Sequence, residues 1–139
     1  MILVKIKLEK SRIHGLGVFA NQFIPKGTLV WKFDPTFDLI VKEHVVDAFP
    51  EIPQEDFLTY AYQSKITRDY VLCSDNSKFV NHDPDANVRC IISEDQKNND
   101  MVCFALRDIN IDDEITNNYV DFEVDVSDVT SETDYGKNW

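Results

Sequence analysis

The sequence predicts a mainly β domain with irregular connections. Three observations carry that expectation. β-Branched and aromatic residues recur in short runs bounded by Gly, Pro, Asn and Asp. Helical character is confined to Gln54–Tyr62, with little helical periodicity elsewhere. The chain has 139 residues, a length suited to one domain that buries about two-thirds of its unfolded surface.

The elements follow in order. Val4 to Leu8 alternates apolar and charged residues, the period of a half-buried strand. Ser11 to Gly17 places two glycines around Leu16 and reads as a tight loop. Pro25-Lys26-Gly27 is a turn, and Thr28 to Phe33 a strand. After the Asp34-Pro35 turn, Phe37 to Val41 is another strand. Gln54 to Tyr62 is a helix with acids in its first turn, where they suit the helix dipole. Its aromatics Phe57, Tyr60 and Tyr62 read as core. Tyr70–Cys73, Asn87–Ile92, Met101–Leu106 and Glu114–Thr116 complete the strands. The segment 120–139 carries six acids and one lysine, with Phe122, Tyr135 and Trp139 as its aromatics. Phe122, Val124 and Val126 alternate with acids, so part of it is expected to pair as a strand.

Charge and cysteine usage narrow the function classes. The net charge is −11. A surface this acidic repels nucleic acid and anionic lipid and attracts basic peptides, so no direct nucleic-acid or membrane partner is expected. The cysteines are Cys73, Cys90 and Cys103. Their odd number and the lack of Cys-x-x-Cys spacing suggest buried thiols in a reducing compartment, with neither a disulfide framework nor a zinc knuckle. The start of the chain lacks the apolar core of a signal peptide, and no run approaches the length of a membrane span. The expectation is a soluble, intracellular protein, with cytoplasm and nucleus both open.

The chemistry concentrates in Asn81-His82-Asp83-Pro84-Asp85-Ala86-Asn87, set directly before an apolar strand. Polar groups this dense need partners from backbone or ligand. Asp83, Asp85, Asn87 and Glu94 match four positions of an EF-hand loop, but Val88 stands where that loop needs Gly. A hydrolytic site on His82 or His14 lacks a nucleophile elbow or an adjacent cysteine. Gly15-Leu16-Gly17-Val18-Phe19-Ala20 formally fits a dinucleotide fingerprint, yet Pro25 and Gly27 leave no room for the helix it must open. What remains there is backbone able to approach another group closely.

Three stretches together resemble a known family. Asn81-His82 with Asn87, then Ala105-x-Arg107-Asp108-Ile109 with Glu114-Ile115-Thr116-x-x-Tyr119, is similar to the two signatures of SET-domain protein lysine methyltransferases. Gly15-x-Gly17-Val18-Phe19-Ala20 is similar to that family's N-terminal signature. The resemblance covers about Ser11 to Tyr119 and is closest to small stand-alone members. It implies a β-clip-like SET fold with short helices and a C-terminal pseudoknot. A SET domain over 1–119 and an acidic segment over 120–139 that closes the site are the corresponding units.

The resemblance also implies S-adenosylmethionine (AdoMet) as methyl donor and a lysine of a basic protein or peptide, such as a histone, as acceptor. Tyr119 takes the catalytic position. His14, Gly15, Leu16, Gly17, Asn81, His82 and Phe122 fall at the cofactor, Asn81 partly through its side-chain amide. Tyr62, Asn117, Tyr119 and Trp139 fall along the lysine channel. No metal is implied, and the zinc-binding cysteines that follow many SET domains are absent. Either the acidic segment closes the channel or a partner chain does, as in a homodimer. Asp83, Pro84, Ala86, Asn117 and Asn118 depart from the family pattern, as does Asp112-Asp113 for Gly-Glu. Asn117 leaves the number of methyl groups open. The same departures frame a rival expectation, a catalytically silent SET-like domain that binds basic peptides.

Overall fold

A computed structural model of the chain describes residues 1–124. Strands dominate, as the alternation and β-branched runs predict. They are β1 (Ile6–Lys10), β2 (Leu16–Ala20), β3 (Leu29–Lys32), β4 (Leu39–Val41), β5 (Tyr62–Gln63), β6 (Tyr70–Leu72), β7 (Asn81–His82), β8 (Val88–Ile92), β9 (Met101–Ala105) and β10 (Glu114–Asn117). Two helices, α1 (Glu43–Asp47) and α2 (Glu51–Tyr60), lie between β4 and β5. Short 3-10 turns cover Asn76–Phe79 and Tyr119–Asp121.

A seven-stranded sheet runs β1-β2-β10-β8-β9-β3, with β7 also paired to β10, and β4-β6-β5 form a second sheet. Neighbours in sequence make the antiparallel β1–β2 and β8–β9 ladders. The late strand β10 is different. It enters antiparallel to β2 on one side and parallel to β7 and β8 on the other. The chain that follows is fastened to the start of the second sheet, where Lys65 N–H donates to Phe122 O (2.9 Å) and Val124 N–H to Gln63 O (3.0 Å). The C-terminal strand is thus threaded between earlier segments, in keeping with the knotted fold that the resemblance implies.

The core explains why this register is unique. Val18, Ala20, Val88, Cys90, Cys103, Ala105 and Ile115 come from alternate positions of β2, β8, β9 and β10 and are almost fully buried. Shifting any of these strands by one residue would turn its apolar set to solvent. Ile24 and Ile109, both fully buried, bridge the Pro25–Gly27 turn to the segment before β10.

Local expectations need four corrections. The helix begins at Glu51, before Gln54, and ends at Tyr60. Pro53 therefore lies in its first turn, where a missing N–H breaks no helical bond. None of its residues is fully buried. Phe57 and Tyr60 instead pack edge-on against Phe49, Tyr70 and Phe79 over the small sheet. Tyr62 lies beyond the helix, in β5. The loop expected through Gly17 ends at Gly15, because Leu16 and Gly17 already pair with β1.

The cysteines are the third correction. Cys90 and Cys103 face each other across β8–β9 and form a disulfide, with Cα atoms 4.1 Å apart. An antiparallel pair brings side chains this close at its non-hydrogen-bonded positions. Only Cys73 is a free buried thiol, so the reducing compartment inferred from three thiols loses that support. Lastly, the strand expected around Phe122 and Val124 reduces to a single bridge, Ser64 to Glu123. Val126, Tyr135 and Trp139 lie outside the described residues. No described helix is long and apolar enough to cross a membrane.

Candidate active site

The site is assembled where β10 crosses the Asn81–Asn87 segment. Asn87 acts there as a substitute peptide group. Its Nδ2 donates to Glu114 O (2.7 Å) and its Oδ1 accepts from Thr116 N–H (2.9 Å). Burial of the side chain is affordable because both ends are satisfied. Arg107 braces the same segment from outside, donating through Nη2 to Asp85 O (2.8 Å). Asp108 Oδ1 accepts from Lys26 N–H (2.8 Å) and fixes the Pro25–Gly27 turn. These signature residues therefore build the crossing.

Asn81 ties the glycine loop to the crossing. Its Nδ2 donates to His14 O (3.0 Å), Leu16 O (3.2 Å) and Glu114 Oε1 (2.9 Å). The amide nitrogen expected at the cofactor is thus committed within the protein, and it positions the loop. Glu114 completes this cluster, accepting from Ser11 Oγ at 2.8 and 2.9 Å. Gly17 makes room for it: a Cβ there would stand 2.9 Å from Glu114 Cδ and 3.1 Å from Ser11 Cβ. The close approach foreseen for the glycine backbone is, at Gly17, an approach to a carboxylate of the protein. Gly15 has φ of 42°, in the left-handed region that favours glycine. Asp112, where the family pattern has Gly, also takes positive φ, 74°. Asp tolerates that region better than most residues, and Lys7 pairs with its carboxylate.

His82 and Tyr119 meet on the other side of the crossing. Tyr119 N–H donates to His82 Nδ1 (3.1 Å), so that nitrogen is unprotonated. The rings contact edge-on, with centroids 5.2 Å apart. Burial lowers the His82 pKa, against a raising effect of Asp83, and burial also lowers that of His14. Both imidazoles are thereby biased to the neutral form. The Tyr119 hydroxyl donates to Val80 O.

Beyond Tyr119 opens a cavity of about 110 Å³. Tyr62, Asn117, Tyr119, Phe122 and Glu123 belong to its lining, with apolar residues such as Val30, Val88 and Ile115 and with Thr59, Ser77 and Lys78. Phe122, expected at the cofactor, stands in this wall between Tyr62 (5.1 Å between centroids) and Tyr119 (5.7 Å). The turn at Tyr119–Asp121 folds it back there. The structure therefore ties His14 and Leu16 to Asn81, sets His82 against Tyr119, and places Tyr62, Asn117, Tyr119 and Phe122 in the cavity wall. Trp139 lies outside the described residues. Ser11 and Glu123 were not foreseen, and Glu114 was noted only within a signature. Glu114 could have been found from Gly17 only if the β2–β10 pairing were known; nothing in the sequence pointed to Glu123.

Comparison with known proteins follows this geometry. A family model for the SET domain matches residues 15–120. The chain belongs to the SET domain family. Similar proteins include histone-lysine N-methyltransferase SETD1B of Homo sapiens, 25% identical over 121 residues, which are 83% of this chain and 6% of that protein. Histone-lysine N-methyltransferase set1 of Dictyostelium discoideum is 26% identical over 121 residues, 83% of this chain and 8% of that protein. The chain thus spans less than a tenth of the length of these relatives. A crystal structure of a Plasmodium falciparum protein, provisionally named a histone methyltransferase, superposes with a TM-score of 0.59 at 24% identity. The likeness covers 85% of this chain and 95% of that one, and shows a shared fold.

Proposed function

We propose that this chain is a protein-lysine N-methyltransferase that uses AdoMet and acts on a basic protein or peptide. The observation that supports this most is the place of Tyr119, in contact with His82 and in the lining of the cavity. Methyl transfer is an in-line displacement with no covalent enzyme intermediate, so its catalyst works mainly by positioning.

The residues present fit the donor. AdoMet, when bound, supplies a methyl group on a sulfonium sulfur. The His14–Gly17 backbone and His82 are the groups that would hold it, on a frame fixed by Asn81 and Glu114. Neutral imidazoles beside the site add no repulsion toward a cation. The cavity then receives the lysine side chain. Its apolar residues, among them Val30, Val88 and Ile115, suit the methylene stem, and the amine sheds its proton, from a reference pKa of about 10.4, before it attacks. The Tyr119 oxygen, anchored on Val80 O, offers lone pairs to C–H···O contacts with the methyl group.

The substrate class follows from charge and from the relatives. A net charge of −11 favours encounter with basic segments. The similar proteins carry the name histone-lysine N-methyltransferase. A histone tail is accordingly the first substrate to try. We also propose that the acidic segment from residue 120 closes the site, since Phe122 and Glu123 already stand in the cavity wall.

The test is transfer of labelled methyl from AdoMet to purified core histones, by wild type and by Tyr119→Phe. Transfer that falls at least about 100-fold in the variant, roughly 2.7 kcal/mol of transition-state stabilisation, is expected. Equal rates would remove Tyr119 from the mechanism. AdoMet and basic peptides bound without transfer by wild type would favour a silent binding domain.

A further inference from the structure

The Cys90–Cys103 disulfide sits where the cavity wall meets the turn that follows Tyr119. Cys103 belongs to the lining of the cavity. Cys90 lies opposite it on β8, with the Cα atoms 4.1 Å apart. The Cys90 N–H donates to Asp121 Oδ2 (3.3 Å), within the Tyr119–Asp121 turn. Earlier in β8, Val88 pairs with Asn117 of β10 and also lines the cavity. A bond made or broken at this junction therefore acts on the cavity wall and on the turn together. Cys73, the free thiol, lines the same cavity. Burial pushes it up to about 12, so it stays protonated and is a poor nucleophile toward the bond. Opening the pair is left to a thiol from outside.

We propose that Cys90 and Cys103 form a redox switch, with a small thiol and its disulfide as the reacting couple, that tightens the substrate side of the site when oxidised and loosens it when reduced. Both cysteines are almost fully buried, and the cavity is the route to Cys103. The entering thiolate bonds to the Cys103 sulfur, and the S–S electron pair leaves on Cys90, which takes up a proton. A second thiolate attacks the sulfur of the first. The external disulfide forms, and Cys103 leaves and takes up a proton. Two electrons and two protons thus pass to the protein, and the external disulfide runs the same steps backwards.

Two thiols need more room than two bonded sulfurs, because bonded atoms stand well inside van der Waals contact. A close-packed interior has little room to give. The cavity supplies it on the Cys103 side, so reduction moves Cys103 toward the chamber and slackens the β8–β9 ladder. Slackening at Cys90 weakens the hold on Asp121 and on the turn that places Phe122 in the cavity wall. The donor side is fastened by other means. Asn81 holds His14 O and Leu16 O, and Glu114 accepts from Ser11. Reduction therefore acts on the acceptor side and leaves AdoMet affinity as it was. The inference rests on the methyltransferase reading for its effect on transfer, and on the fold alone for its effect on the turn.

The full chain is equilibrated in mixtures of reduced and oxidised glutathione at millimolar total concentration. Thiol alkylation and intact mass give the redox state. Hydrogen exchange, AdoMet calorimetry and methyl transfer to core histones are then measured on each state. Reduced glutathione is expected to open the bond, quicken exchange over residues 119–124 and raise KM for histone several-fold, with the AdoMet Kd unchanged. Reoxidation is expected to restore the lower KM. Cys90→Ala combined with Cys103→Ala is expected to keep the higher KM in every mixture, while Cys73→Ala still responds. Should the double variant fail to fold, the wild-type titration decides. A bond that millimolar glutathione leaves intact is structural only and overturns the proposal. Loss of the fold on reduction overturns it too, as does equal exchange in the two states. AdoMet calorimetry separates the two readings. Redox-dependent exchange over 119–124 without AdoMet binding or transfer would sink the methyltransferase and keep the switch; transfer with one KM in both states would do the reverse.

Discussion

Glu123 shows how a single side chain links burial to stability. Its ordinary pKa of 4.5 rises to about 7 in the folded protein. Below 4.5 the group is protonated folded or unfolded, and it adds no pH dependence. Between those values the unfolded chain has released the proton while the folded one retains it, so stability falls as the pH rises. Above 7 the full penalty applies, on the order of 3 kcal/mol for a shift of this size. Urea denaturation at pH 5 and pH 8 should show this loss in wild type relative to E123Q. A wild-type-to-variant difference that stays constant with pH would contradict it. His14 and His82, lowered by burial, act in the opposite sense, losing stability as the pH falls below about 6.5. The difference between the two proteins removes their contribution. At this scale the sequence was partly legible. Tyr119 and the Asn81-His82 pair stood out by their motifs. Glu123 did not, because an acid in an acidic segment carries no mark of its burial.

Among the elements, the crossing of β10 with the Asn81–Asn87 segment decides the site's shape. Asn81 joins three acceptors from two elements there. Asn81→Ala removes both amide N–H donors that these three acceptors share and frees the His14–Gly17 loop, at an expected cost of about 2–3 kcal/mol. Asn81→Asp should cost more, because it sets a second carboxylate against Glu114 and offers no N–H to the carbonyls. Thermal unfolding would rank wild type above Ala and Ala above Asp, and hydrogen exchange should quicken in the loop. An Asp variant as stable as wild type would refute the arrangement. Most strands were legible from alternation and β-branching. Their pairing was not, since β10 joins residues about a hundred positions away at β2. The same blindness hid the Cys90–Cys103 bond, whose partners are 13 residues apart and meet only through the β8–β9 register.

For the whole molecule, charge is the property read most directly from composition. Twenty-five acids against fourteen basic residues give the net −11. Capture of a basic peptide should therefore weaken with salt, since screening shortens the reach of exposed charges from about 10 Å at 0.1 M to about 3 Å at 1 M. The expected result is a KM for histone peptide that rises several-fold between 50 and 300 mM NaCl, with kcat little changed. A KM independent of salt would assign recognition to the cavity alone. The threaded topology was available only through the resemblance, because no local pattern tells a strand which distant edges it will join. The most direct measurement of the central claim is intact-mass analysis of a lysine-containing histone-tail peptide after incubation with the full chain and AdoMet. The account predicts mass gains in whole methyl steps on lysine, lost with Tyr119→Phe while AdoMet binding persists. An unmodified peptide and no AdoMet binding by wild type would contradict it.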